Sequence, residues 1–60
     1  MIKEDSIIKG PFWKEPVKVE KVVEIGEYIR IIGSTINSKD YINQVIKKEE
    51  LENIDIQEGL

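Results

Sequence analysis

From Val17 to Gly33 the chain reads VKVEKVVEIGEYIRIIG, with apolar residues at nearly every second position on both sides of one Ile-Gly-Glu-Tyr interruption. Period-two alternation is the pattern of a half-buried strand. Two such runs around a short turn read as a β-hairpin. The apolar residues are mostly Ile and Val, whose branched Cβ stiffens χ1 and suits the pleated surface. Alanine, the best helix former, is absent. The chain therefore reads as mainly β.

The alternation has two exceptions. Val17, Val19, Val23 and Ile25 share a face with Lys21, while Lys18, Glu20 and Glu24 share the other with Val22. Two registers compete at the turn. A two-residue Gly26-Glu27 loop has good type II′ chemistry and sets Val23 opposite Arg30. A three-residue loop sets Ile25 opposite Ile29, Val23 opposite Ile31 and Glu24 opposite Arg30, and every pair is then chemically compatible. Pairing favours the longer loop. A second hairpin follows at Asn37-Ser38-Lys39-Asp40, a cluster of turn formers. A turn centred on Ser38-Lys39 pairs Ile32 with Val45 and Ile31 with Ile46.

Apolar residues then lie on both faces of the central strand, and curling the sheet into a barrel buries more of both. Ser6–Lys9 reads as a short first strand. Lys47–Asn53 suits one helical or 3-10 turn with Leu51 inward, and Ile54 and Ile56 form a short last strand. The expectation is a small five-stranded SH3-like barrel spanning residues 6–56, with an OB-type barrel as the alternative. Residues 1–5 are expected to be a loose start, and residues 57–60 a tail leading to a missing downstream region.

Sixty residues bound a single domain, which buries only about 60% of the surface its unfolded chain exposes. There is no Cys and no His. That excludes a disulfide framework, the usual zinc sites and Cys or His catalysis. The serines and threonines have no His to activate them. No GxxxxGK(S/T) phosphate loop is present. The chain reads as non-catalytic and without a cofactor. No apolar run approaches the ~20 residues of a membrane span, and no signal-peptide core opens the sequence. No membrane contact and a cytoplasmic location are expected.

The net charge of −3 is uneven. Residues 1–48 carry nine Lys/Arg against seven Asp/Glu, and residues 49–60 carry five acids and no base. The acidic end reads as a solubilising tail. An acidic chain is a weak electrostatic partner for DNA on its own.

Binding chemistry concentrates in KGPFWKEPVKV, where Phe12 and the only Trp, Trp13, sit between Lys9, Lys14, Lys18 and Lys21. Aromatics interleaved with lysines can stack bases. Alternatively Trp13 plugs one end of the barrel with Phe12 beside it, because a small core needs the area of its aromatics. For Tyr41, partner contact and cross-strand packing both stand. The candidate contact residues are Lys9, Phe12, Trp13, Lys14, Lys18 and Tyr41.

The order of these residues resembles the N-terminal segment of prokaryotic Swi/Snf-like superfamily-two helicases. The matching positions are Gly10 to Trp13, Glu15 to Val17 and Val19, then Ile31 and Gly33, then Tyr41 and Val45, then Leu51, Ile54 and Ile56. The match spans residues 6–56, and its GPFW-x-EPV portion is the specific part. The resemblance implies an accessory domain whose partner is the downstream helicase core of the parent chain; a monomer is expected from the hairpin pattern, and the charge of −3 makes DNA a weak partner for the module alone. ATP hydrolysis would belong to that core, so the resemblance supplies no catalytic residue. The alternative is an SH3-like module that takes a peptide on its aromatic surface.

Overall fold

The computed structural model describes residues 2–58, so the Gly59-Leu60 end of the expected tail lies outside the described residues. Five strands form one antiparallel sheet: β1 (Ile7–Lys9), β2 (Val17–Ile25), β3 (Tyr28–Thr35), β4 (Tyr41–Lys47) and β5 (Asp55–Gln57). A 3-10 turn, Lys48–Asn53, separates the last two. Sheet order is β4-β3-β2-β1-β5, so β4 and β5 are the edges and no ladder between them closes the sheet.

The core is aliphatic and almost wholly β-branched. Ile2, Ile8, Val17, Val19, Ile29, Ile31, Ile46 and Ile54 are buried, and Trp13, Val22, Ile42, Leu51 and Ile56 pack around them. Strands from both ends of the sheet share this cluster, so the sheet curls and its inner face covers itself. Leu51 turns inward as the sequence predicts, and Ile56 also packs against the core. Ahead of β1, Ile2 enters the core, and the Asp5 N–H donates to the Val19 carbonyl at 2.8 Å. No helix among the described residues is long and apolar enough to cross a membrane.

Both expected registers are corrected. At the first hairpin Ile25 faces Tyr28, Glu24 faces Ile29 and Val23 faces Arg30, which is the two-residue loop. Gly26 has φ 58° while Glu27 stays out of the positive region, as a type II′ turn requires. Turn chemistry thus outweighs cross-strand matching at the tip. Further down β2 the pairing passes from Lys21–Ile32 to Val19–Gly33, leaving Glu20 as the extra residue of a β-bulge. The bulge swaps the faces of β2. Val17 and Val19 point inward before it and Val22 after it, which accounts for both exceptions in the alternation.

At the second hairpin Ser34 faces Tyr41, Ile32 faces Asn43 and Ile31 faces Gln44, a two-residue shift from the expected pairing. The loop is longer than expected. Lys39 adopts φ 62°, and the Thr35 hydroxyl accepts the Asp40 N–H at 2.8 Å. The Ile36 N–H turns away to the Pro16 carbonyl at 2.9 Å. Backbone donors that a tight hairpin would use across the strands go to the other loop. A shift of two residues keeps every side chain on its face, so the inward and outward sets of β4 survive the correction.

Candidate partner-binding surfaces

The loop between β1 and β2 turns at Gly10, whose carbonyl accepts the Trp13 N–H at 3.3 Å. A Cβ at Gly10 would lie 3.2 Å from Ile54 Cγ1 and 3.4 Å from the Trp13 ring. Glycine there lets the indole reach the rim of the core. Trp13 Nε1–H donates to Gln44 Oε1 on β4 at 3.0 Å, so the indole's one polar atom is satisfied where its body is half-buried. Trp13 is therefore a fixed packing element. Phe12 meets it edge-on, with centroids 5.6 Å apart and planes at 64°, and stays 38% exposed. The two rings, Lys14 and Ile42 line an open depression of about 410 Å³ that also touches Asp40.

Glu15 locks this loop to the β3–β4 loop. Its carboxylate accepts the Asn37 N–H at 2.6 Å, the Ser38 N–H at 2.9 Å and the Ser38 hydroxyl at 2.6 Å. The Ser38 hydroxyl, followed by the Ser38 and Asn37 amides, holds the Glu15 carboxyl below its ordinary value. Both loops are positioned by charge-assisted hydrogen bonds.

The six candidate contact residues do not form one site. Phe12, Trp13 and Lys14 belong to the loop depression. Lys9 lies on β1 opposite Asp55 of β5. Lys18 and Tyr41 flank Ser34 on the outer face of the sheet.

That outer face is the surface the sequence reading missed. The registers arrange its side chains in four rows across β2, β3 and β4: Ile25–Tyr28–Lys47, Val23–Arg30–Val45, Lys21–Ile32–Asn43 and Lys18–Ser34–Tyr41. Four of these twelve positions are bases and none is an acid, although the chain carries a net charge of −3. Three carboxylates border the rows: Glu20 at the bulge, and Glu27 and Glu49, which line one depression with Tyr28 and Lys47. The resolved ion pairs lie elsewhere. Lys3 holds Glu58 at 2.8 Å, which keeps the Glu58 carboxyl below its ordinary value. Lys48 meets Glu24 at 2.9 Å. Tyr28, Tyr41 and Val45 are 44%, 69% and 45% exposed. With the bulge at Glu20 recognised, alternation alone would have put Lys18, Lys21 and Val23 on this face.

No family model matches the chain, and no curated protein or solved structure matches it either.

Proposed function

We propose that the chain is a non-catalytic accessory module of an ATP-dependent helicase or DNA translocase. In this reading it is a cytoplasmic monomer that helps the motor engage nucleic acid or packs on the motor itself. The observation that carries it is charge segregation. An acidic chain gathers four bases, two tyrosines and no row carboxylate on one sheet face, and a surface of one sign attracts a partner of the other. The GPFW-x-EPV resemblance supplies the motor part of the reading. The strand order, with a 3-10 turn before the last strand, supports the finer description of the fold as an SH3-like barrel.

A second reading, a peptide-binding module, draws on the loop depression, where Phe12 stays partly exposed over a fixed Trp13. Anisotropy titrations with labelled single-stranded DNA, duplex DNA and a proline-rich peptide panel separate the two. Nucleic-acid binding with no peptide binding is expected, and peptide binding alone would reverse the choice. The motor part is tested by the gene beyond codon 60, where the reading expects a GxxxxGK(S/T) motif in an ATPase core. An unrelated domain there would contradict it.

A further inference from the structure

We propose that the outer face of β2, β3 and β4 is a binding platform for single-stranded nucleic acid, with phosphates held by Lys18, Lys21, Arg30 and Lys47 and bases laid on Tyr28 and Tyr41. This rests on the nucleic-acid reading above and narrows it to one kind of strand and one surface.

Charge complementarity selects a polyanion. None of the four bases makes a salt bridge among the described residues, although Glu20 lies beside Lys21 at the bulge and Glu27 and Glu49 line a depression with Lys47. A second copy of this chain would bring an equally cationic face against it, which like-charge repulsion opposes. Glu58, an acid of the C-terminal end, is already engaged by Lys3.

The shape of the face selects a single strand. Three strands spaced about 4.8 Å apart give a width of about 10 Å, and the six residue-to-residue steps from Tyr28 to Ser34 give a length of about 20 Å. Tyr28 and Tyr41 stand in the first and last rows, on neighbouring strands, with Arg30 and Ile32 between them. Both rings are exposed enough to offer a flat surface. Bases stack on such rings regardless of sequence. In a duplex the bases are stacked on one another and offer a tyrosine no free surface, so a duplex would meet the lysines alone. The platform suits about four nucleotides, the short end of the range for small β modules.

The magnitudes are modest. Single-strand binding weakens with salt by about 0.7 per phosphate contact on a double-logarithmic plot, so four contacts give a slope near −3. The test is anisotropy of labelled oligothymidylate with the full chain, between about 50 mM and about 200 mM salt. Three variants accompany it: Tyr41→Ala, the pair Lys18→Gln with Lys21→Gln, and the off-face pair Lys9→Gln with Lys14→Gln. Thermal melts verify that each is folded. Tyr41→Ala should weaken binding about tenfold, the loss expected of one stacked base. The Lys18/Lys21 pair should roughly halve the slope, to about −1.5, and the Lys9/Lys14 pair should leave it unchanged. Oligothymidylate binding unaffected by Tyr41→Ala and the Lys18/Lys21 pair would overturn the assignment of the face. A duplex of equal length binding more tightly would overturn the single-strand inference and leave the nucleic-acid reading standing. Binding of neither would overturn both.

Discussion

Replacing Gly33 with alanine separates two physical effects of opposite sign. Gly33 faces Val19 beside the Glu20 bulge, and its φ lies outside the left-handed region. An alanine there is conformationally allowed, and its lower chain entropy when unfolded would stabilise the protein by about 0.4–1 kcal/mol. Sterics oppose this. A Cβ on Gly33 would collide with the Lys18 carbonyl oxygen and lie 3.1 Å from both the Lys18 carbonyl carbon and Val19 Cα. All three atoms are backbone of a paired strand, so no side chain can swing aside. Overpacking of this kind costs typically about 1–3 kcal/mol, and a loosened ladder hydrogen bond adds about 1 kcal/mol. The net is a loss of about 2–3 kcal/mol. A chain of this length has only about 3–9 kcal/mol in total. At about 4–8 °C per kcal/mol, the melting temperature should fall by about 10 °C or more. Calorimetry or a circular-dichroism melt of Gly33→Ala reads this directly. An unchanged or raised melting temperature would refute the close approach of β3 to β2 at the bulge.

Trp13→Ala should lower stability by about 3 kcal/mol, the lower end for a large aromatic because the ring is only half-buried, and an unmoved urea midpoint would contradict its packing role. Gly26→Ala should lose about 1 kcal/mol or more because alanine resists the φ of 58°. Gly26→Asn should lose less, and equal melting curves would count against the type II′ turn. The Ser38 hydroxyl and the Ser38 and Asn37 amides hold the folded-state pKa of Glu15 below its unfolded value. Its stabilising contribution is therefore full above the unfolded value and lost as pH falls through the folded one. Glu15→Gln should flatten the acid limb of stability against pH, and an unaltered limb would exclude the loop staple.

Strand existence was legible in the sequence because Ile and Val alternate over whole segments, and the inward Leu51 followed from reading Lys47–Asn53 as one helical or 3-10 turn. Registers were not, for two reasons. The Lys21 and Val22 exceptions are the trace of one inserted residue, yet they look identical to tolerated irregularities until a partner strand shows Glu20 unpaired. The second loop depends on Glu15 and Pro16, which lie more than twenty positions from the amides of Asn37 and Ser38; no local turn rule contains that contact. The basic face stayed hidden because it draws its bases from three strands and depends on both registers. Counting charges along the chain averaged it against acids that the fold places elsewhere. Trp13 was legible as a packing residue because a core of Ile and Val has no other large side chain to close its rim.

If the outer sheet face is the contact surface, a residue-resolved chemical-shift titration of the uniformly labelled chain with oligothymidylate should show it. Shifts are expected at Lys18, Lys21, Arg30, Ile32, Tyr41 and Lys47, growing as salt is lowered. Shifts confined to Phe12, Trp13, Lys14 and their neighbours in the loop depression, with the outer face silent, would contradict it.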